Sequence, residues 1–214
     1  MILIRKCNIS DEKDIMEICY KTGYLGEDLT GRGLFNDKLL FSYFFCLYYS
    51  RYESENCFVA VDTKEDKAVG YILGTCDTLK QRKRFLHKMG WRIFLRIIQV
   101  TIWNYPETVK SIFHLAKNVG VESGSRQIYK EYPAHLHINI LPEYQRRGIG
   151  KKLIDAFENN IKHYASGIHL ITSSRNVKAI PFYHKKGYTV VAQCNFNMWR
   201  DAGNTMRIIF AKKI

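Results

Sequence analysis

Hydrophobic and polar positions along the chain form runs that predict seven strands with helices between most of them. Alternating or continuous apolar runs of five to nine residues, bounded by Gly, Asn, Asp or Lys, are typical of strands. The predicted strands are 2–7, 56–62, 68–76, 135–141, 168–173, 188–193 and 205–211. Apolar residues at helical spacing predict helices at 10–23, 37–52, 151–164 and 177–186.

Residues 78–133 separate the third predicted strand from the fourth and have a helical pattern. Phe85, Met89, Ile93 and Ile97 recur at helical spacing, and Pro106 suits the first turn of a second helix over 107–119. Mixed strands and helices argue for one α/β layer structure. We therefore expect a single α/β domain over residues 1–214, with 78–133 as a helical insertion.

Composition supports one domain with a real core and argues against several protein classes. The 214 residues are 46% hydrophobic, and no apolar run reaches the roughly 18 residues of a membrane span. The six cysteines lack zinc spacing, so reduced core thiols are expected and no metal site is predicted. With no secretory signal in the first residues, the sequence predicts a cytoplasmic protein.

Positive charge is concentrated in the insertion. The chain has a formal net charge of +13, and residues 80–133 hold eleven Lys/Arg against three Asp/Glu. Nucleic acid, an anionic membrane surface and acidic small molecules are all partners that this charge suits. No aromatic RNA-binding motif or Cys/His finger is present, which disfavours nucleic acid.

The most specific motif occupies residues 141–151, after a predicted strand and before a predicted helix. The first amides of a helix lack internal partners, and the helix dipole favours an anion there. Gly148 and Gly150 leave the backbone accessible, and Arg146, Arg147 and Lys151 add positive charge. These features predict a pyrophosphate cradle, and the spacing is that of neither a Rossmann loop nor a P-loop.

A second motif, residues 176–188, follows the next predicted strand. Asn176 can cap a helix or hydrogen-bond an amide-rich ligand, and the Tyr183 phenol can donate a proton. Gly187 can end the helix. In isolation this motif is equally well explained by core packing of its aromatic residues.

Together, and in this order, the two motifs resemble those of the GNAT superfamily of acetyltransferases. Gln145 to Gly150 fit the pattern Gln/Arg-x-x-Gly-x-Gly/Ala, and Asn176 to Tyr188 fit Asn-x-x-Ala-x-x-Phe-Tyr-x-x-x-Gly-Phe/Tyr. The resemblance covers the chain in element order except for 78–133, and implies a central mixed sheet flanked by helices. Residues 57–59, 70–75 and 132–142 also resemble the acetyltransferase-like domain attached to O-GlcNAcases, without implying glycosidase activity.

The superfamily resemblance implies direct acetyl transfer from acetyl-CoA to a primary amine. Its pantetheine arm would lie between two splayed parallel strands, here 135–141 and 168–173. Tyr183 would protonate the leaving thiolate. The resemblance implies these cofactor-binding residues: Asn139, Ile140, Leu141, Gln145, Arg146, Arg147, Gly148, Ile149, Gly150, Lys151, Asn176 and Tyr183.

The general base and the acceptor are less defined. Ala134 stands where many superfamily members carry an acid. His137 is our candidate base because histidine titrates near neutrality, with His135, Glu131, Asn139 or a water chain as alternatives. We expect residues 78–133 and the loop 24–36 to line the acceptor side of the site. The expected acceptor is a small-molecule or peptide amine with an acidic group that the insertion holds. A solvated basic face, a lid and a homodimer contact are alternative roles for the insertion.

Two alternatives to catalysis also follow from the sequence. A non-catalytic acetyl-CoA-binding module would keep the cofactor residues without turnover. A basic protein of nucleic acid or membrane surfaces would bind through the insertion, with an affinity that falls steeply with salt.

Overall fold

The computed structural model describes residues 1–118 and 125–214, which form a seven-stranded mixed sheet with helices packed on it. The strand order is β1-β2-β3-β4-β5-β7-β6, and only β4 and β5 are parallel neighbours. The strands are β1 (Ile2–Lys6), β2 (Phe58–Asp62), β3 (Lys67–Thr75), β4 (Ala134–Ile140), β5 (Gly167–Ser173), β6 (Thr189–Asn195) and β7 (Met206–Lys213). The expected α/β single domain with a central mixed sheet is confirmed.

Helices form in the segments where the hydrophobic pattern predicts them, with differences at their ends and with further short helices. They are α1 (Glu12–Lys21), α2 (Lys38–Phe45), α3 (Leu47–Tyr52), α4 (Thr78–Arg96), α5 (Ile102–Asn104), α6 (Pro106–Asn118), α7 (Ser125–Glu131), α8 (Ile149–Ile161) and α9 (Ala179–Lys185). Helix α8 packs across β1 to β4, whereas α1 packs on β3, β4 and α2. The apolar face of α8, which includes Leu153, Ile154 and Phe157, is fully buried.

The helix predicted over 37–52 is two helices, and this prediction was wrong. Cys46 has φ −135° and ψ −42°, which ends α2 and begins α3. The break lets apolar residues on both segments reach the core, because Leu40 and Leu47 are both completely buried. The aromatic sequence alone did not indicate where the turn falls.

The insertion holds more helices than the sequence predicts. Helix α4 runs into a π-helical turn at Ile97–Thr101 and then α5, while α6 begins at Pro106, one residue before the predicted start. Helix α7 was not predicted. Residue 119, the predicted end of the second helix, lies outside the described residues. Within the part of the chain that the structure describes, no helix meets the length and hydrophobicity of a membrane-crossing segment.

The predicted start of the first helix at residue 10 and the predicted cap at Asn176 differ from the structure. Asn8, rather than Ser10, caps the turn that leads into α1, since its side chain accepts from the Ser10 amide at 3.0 Å and Asp11 accepts from the Asn8 amide at 2.9 Å. Asn176 does not cap α9 with its side chain; its backbone oxygen accepts from the Ala179 amide at 3.1 Å, in a turn that delays the helix to Ala179.

Candidate active site

A cleft opens in the sheet because β4 and β5 diverge after only two paired residues. The two strands pair only at Ala134 with Ile168 and at His135 with His169. Beyond those two pairs, β4 stays bonded to β3 and β5 stays bonded to β7. The sequence predicted this splay between 135–141 and 168–173 from the family resemblance, and the structure has it.

The register of β4 decides which of its backbone groups face the cleft. In an antiparallel pair, the backbone groups of alternate residues point to the partner strand. The Leu141 amide donates to Val69 of β3 at 2.9 Å, so Leu141 and Asn139 direct their backbone groups to β3. Ile138 and Ile140 therefore direct theirs to the cleft.

This geometry bears on three of the predicted cofactor-binding residues, Asn139, Ile140 and Leu141. Ile140 directs its backbone groups to the cleft, but the Leu141 amide is engaged within the sheet and Leu141 does not line the cleft. The Asn139 side chain lines it, where it donates to the Thr22 hydroxyl of α1's C-terminal end. Ile138 was missed, although the alternation of strand residues about Ile140 was the signal that could have found it.

The loop after β4 is fastened to the strand by Gln145. Its side-chain Nε2 donates to the Ile140 carbonyl at 3.0 Å, which is the carbonyl that β3 leaves unused. The bond holds the start of α8 beside the open end of the cleft. Gln145, predicted as a cofactor residue, therefore positions the loop through its side chain.

The N-terminus of α8 faces the cleft without a side-chain cap. Gly148 is the cap residue, with φ +76°, and Arg146 also has a left-handed backbone, with φ +61°. Alternating left-handed positions of this kind direct successive amides into one concave surface that suits an anion. The Lys152 amide reaches the Gly148 carbonyl at 3.3 Å, so the amides before it lack the usual helical acceptor.

Gly148 and Gly150 have different structural roles. A Cβ built on Gly148 would meet no atom within 4 Å, so this glycine serves the left-handed backbone and leaves the space in front of the amides open. A Cβ built on Gly150 would lie 3.1 Å from the Phe182 ring, so Gly150 allows α8 and α9 to approach closely. The prediction that both glycines clear space for a ligand fits Gly148 better than Gly150.

Positive side chains surround this helix N-terminus. Arg146 and Lys151 line the cleft, together with Lys178 from the start of α9. Lys151 also lies 3.7 Å from Asp155, and Arg147 lies over the Tyr144 ring at 5.0 Å. Ile149, the remaining predicted residue of the loop, is buried and presents only its backbone.

Asn176 and Tyr183 both line the cleft from its other side. The Asn176 amide group packs against the loop at Gly26, where an added Cβ would lie 3.0 Å from its Oδ1. Tyr183 is buried, and burial raises the pKa of its phenol above the ordinary value. No described residue forms a hydrogen bond with its hydroxyl, which leaves that group available to a ligand in the cleft.

Three histidines meet at the closed end of the splay. The rings of His135 and His137 lie 4.6 Å apart, and the His135 ring stacks on His169 at 4.9 Å. Burial and the neighbouring His169 lower the pKa of His137 to about 4, and burial also lowers that of His135. The imidazoles of His135 and His137 are therefore neutral at neutral pH.

Of the three titratable candidates for the base, only His137 lines the cleft. His135 is buried behind it, where its Nδ1 lies 3.4 Å from the Tyr49 hydroxyl. Glu131 is exposed on the surface, 3.5 Å from Lys213. The sequence did not indicate that His169 stacks on His135, because β4 and β5 are adjacent only in the fold.

The whole cleft has a volume of about 670 Å³, large enough for a nucleotide-sized ligand arm. Its lining comes from α1's C-terminal end, the loop at Gly26, β4, β5, the loop 144–151 and α9. Among the described residues of 78–118 and 125–133, none contributes to this lining. The insertion instead packs on the loop 24–36, where the Ser111 hydroxyl donates to the Leu34 carbonyl at 2.6 Å.

Residues 110–190, which include both motifs and most of the cleft, match the family model described as Acetyltransferase (GNAT) domain. This stretch of the chain is therefore similar to a GNAT acetyltransferase domain. The GNAT motifs predicted from residues 145–150 and 176–188 both fall within the matched residues.

Solved structures share this GNAT fold over their full length. The protein named SsHAT is 26% identical, with a TM-score of 0.73 over 99% of this chain and 98% of its own. The polyamine N-acetyltransferase of Drosophila melanogaster, which catalyses the formation of N-acetylagmatine, is 14% identical, with a TM-score of 0.62 over 100% of both chains. The putative acetyltransferase yncA of Salmonella typhimurium, solved with its cofactor acetyl-CoA, is 13% identical, with a TM-score of 0.58 over 100% of this chain and 94% of its own.

Among the residues that the structure describes, no cluster of three or more His, Cys, Asp or Glu side chains could hold a metal ion. At the closed end of the splay, His135 stacks on His169 and meets His137 edge to face.

Proposed function

We propose that the chain binds acetyl-CoA in the cleft and transfers the acetyl group directly to a primary amine. The observation that carries the proposal is the splay of β4 from β5, which exposes strand backbone beside an uncapped helix N-terminus. A pantetheine arm is rich in amides and a CoA pyrophosphate is anionic. The cleft has exposed strand backbone that can hydrogen-bond the amides, and a helix N-terminus that can bind the pyrophosphate.

The pantetheine arm would bind alongside β4 as an additional strand. Ile138 and Ile140 direct backbone groups to the cleft, and the Ile140 amide remains available although its carbonyl accepts from Gln145. Asn176 would hydrogen-bond the arm from the opposite side. The Ile138 amide is then the donor best placed to stabilise an oxyanion on the acetyl carbon.

The pyrophosphate would bind at the N-terminus of α8. The amides of Gly148 to Lys151, the helix dipole and the side chains of Arg146 and Lys151 supply complementary charge. Arg147, which lies over Tyr144, would contribute a more distant positive field. This arrangement predicts that phosphate-bearing ligands bind more weakly as salt rises.

Tyr183 would act as the general acid that protonates the departing thiolate. Its raised pKa keeps the phenol protonated at neutral pH, as a proton donor requires. Tyr183 lines the cleft, and this position supports a hydroxyl close to the sulfur of a bound pantetheine arm. The phenol would regain its proton from solvent through the open cleft.

His137 would receive the proton of the attacking amine. It is neutral at pH 7, because its pKa is lowered to about 4, and it can therefore accept a proton. The same low pKa means that the proton would be held weakly and passed on to water. Deprotonation of the amine by solvent would then contribute strongly to the rate as pH rises.

The acceptor would approach from the side formed by Thr22, Gly26 and His137. A small-molecule or peptide amine fits this open mouth, and the Drosophila enzyme that shares the fold acts on a polyamine. No described residue of the insertion lines the cleft. Electrostatic attraction between the basic insertion and an acidic group of the acceptor would therefore act at longer range.

A panel experiment tests the proposal. Purified protein is incubated with acetyl-CoA and individual primary amines, and CoA release is read together with the mass of the acetylated product. Acetylated product that depends on Tyr183 supports the proposal. Binding of acetyl-CoA without turnover on any amine favours the non-catalytic module, which the weak basicity of His137 also suits.

A further inference from the structure

The outward face of the insertion's long helical run has an unusual composition. Residues 78–104 contain seven Lys/Arg and no Asp or Glu. They form α4, the π-helical turn and α5, a run of 27 residues that would extend about 40 Å at the helical rise. A surface helix of this length normally interleaves both signs of charge.

Large apolar side chains stand out from the same run. Trp91, Phe94, Ile98 and Ile102 follow one another at spacings of three and four residues, which places them on one face. Their exposed fractions are 65%, 50%, 39% and 46%, and Trp103 beside them is 76% exposed. The rings of Trp91 and Phe94 stack on each other at 5.5 Å, above the protein surface.

The opposite face of α4 explains why this stripe is not the core-facing one. Met89 is completely buried and Ile93 is nearly so, and Phe85 packs against the Tyr48 ring at 5.6 Å. The helix therefore satisfies its packing with one apolar face and carries a second apolar face outward. A single amphipathic helix of a monomer needs only the first.

The cations lie mostly toward the N-terminal half, and the apolar stripe lies toward the C-terminal half. Lys83, Lys88 and Arg92 are exposed. Arg96, by contrast, points inward to Asp37. The surface thus consists of a basic half followed by an aromatic half along one helical run.

We propose that this outward face of residues 78–104 binds the surface of an anionic phospholipid bilayer. Aromatic and branched side chains would enter the headgroup and acyl boundary, tryptophans would occupy the interface, and the lysines and arginines would contact lipid phosphates. Trp91, Phe94, Ile98 and Ile102 are exposed along the helix, and a bilayer accommodates protruding side chains without matching their shape. The inference is independent of acetyl transfer.

Other occupants fit less well. In a two-fold dimer with parallel helical runs the two basic halves would face each other, which like charges oppose. In an antiparallel dimer the cations would cover the apolar stripe without meeting acidic partners. Nucleic acid would suit the basic half but not a continuous row of Trp, Phe and Ile. Both occupants give distinct outcomes in the test below.

The test is sedimentation of the full chain with vesicles of phosphatidylcholine containing phosphatidylserine, compared with phosphatidylcholine alone. We expect binding to the anionic vesicles and little to the neutral ones. The variant Lys83→Glu/Lys88→Glu should bind at least about twentyfold more weakly, because each cation near an anionic surface contributes roughly fivefold. Its matched control, Lys13→Glu/Lys64→Glu, has the same charge change at exposed sites elsewhere and should bind nearly as the parent.

The apolar half is tested by Trp91→Ala/Phe94→Ala, with Ile9→Ala/Tyr164→Ala as the control for exposed apolar residues elsewhere. The first pair should weaken vesicle binding by about tenfold or more, since each large apolar side chain loses its burial in the interface. Because all four side chains are largely exposed, circular dichroism and melting temperature should be unchanged.

Three results would overturn the inference. The first is equal binding to anionic and neutral vesicles, or to neither. The second is a matched control that loses as much binding as the variants on α4. The third is self-association or retention on duplex DNA that depends on Trp91 and Lys83 while vesicle binding does not. None of these outcomes bears on whether acetyl-CoA binds the cleft.

Discussion

Asp37 and Arg96 connect α2 to the insertion through a two-pronged ion pair. The Arg96 Nε donates to one carboxylate oxygen and its terminal nitrogen to the other, both at 3.1 Å, although the Asp37 side chain is completely buried. The Thr101 hydroxyl of the π-helical turn donates to the same carboxylate at 2.7 Å. The carboxylate also accepts from the Leu40 amide at 3.1 Å and so caps α2.

Asp37→Ala should therefore destabilise the protein strongly. It leaves Arg96 partly buried without its partner and removes the cap of α2, for a loss of about 3–5 kcal/mol in the free energy of unfolding. Lys21→Ala is the control, because its surface pair with Glu17 should contribute less than about 1 kcal/mol. Urea unfolding measures both, and equal losses would show that the Asp37 pair does not hold the insertion.

The buried histidines predict how stability depends on pH. The pKa values of His135 and His137 are lowered in the folded state, so the unfolded chain binds more protons as pH falls below about 6.5. Stability contributed by the neutral imidazoles is present above pH 6.5 and is lost as pH falls toward 4. His137→Asn should flatten the slope between pH 6.5 and 5, a window in which most carboxylates stay ionised.

Denaturant unfolding at several pH values would measure this slope. A steep loss of stability in the parent protein and a shallower one in His137→Asn is the expected result. Identical slopes for the two proteins would mean that His137 is protonated as readily in the fold as in the unfolded chain.

Local sequence signals predicted the sheet and the start of the site. The strand before Pro142 and the glycine-bearing turn into α8 follow from a short motif whose physics is local, although the helix begins two residues before the predicted start. The cleft position of Tyr183 was implied by the family resemblance instead. The sequence also predicted the insertion between the third and fourth strands. These features depend on neighbours along the chain, which the sequence displays directly.

Long-range features were beyond the sequence. The break at Cys46 depends on which residues reach the core, and the π-helical turn is accompanied by the pairing of Thr101 and Arg96 with Asp37, about sixty residues away. The stacking of His135 on His169 and the use of the Leu141 amide by Val69 depend on strand neighbours and register. Contacts of this kind decide which side of a residue faces the cleft.

Tyr183→Phe should separate catalysis from folding. The hydroxyl has no hydrogen-bond partner among the described residues, so its loss should leave the melting temperature nearly unchanged. Turnover should fall by about a hundredfold or more if the phenol is the general acid. Acetyl-CoA affinity should change little, because the ring remains.

Tyr188→Phe is the matched control for that experiment. The Tyr188 hydroxyl donates to Glu158 at 3.1 Å, so its removal should lower stability by about 1 kcal/mol while turnover remains. Turnover that is unchanged in Tyr183→Phe, once the chemical step is shown to limit the rate, would rule out the proton-donor role.

The binding of acetyl-CoA to the N-terminus of α8 is most directly tested by titration calorimetry on Gly148→Glu. A side chain at Gly148 meets open space, so the variant places a negative charge in front of the amides that would hold the pyrophosphate. Gly203→Glu is the control, because Gly203 also has a left-handed backbone, with φ +62°, and open space around it, outside the cleft. Both variants therefore carry the same charge and a similar backbone strain.

We predict that acetyl-CoA binds the parent and Gly203→Glu with similar affinity and binds Gly148→Glu at least tenfold more weakly. The tenfold loss corresponds to about 1.4 kcal/mol of repulsion and lost contacts. Equal affinity for all three proteins, or no binding to the parent, would contradict the account.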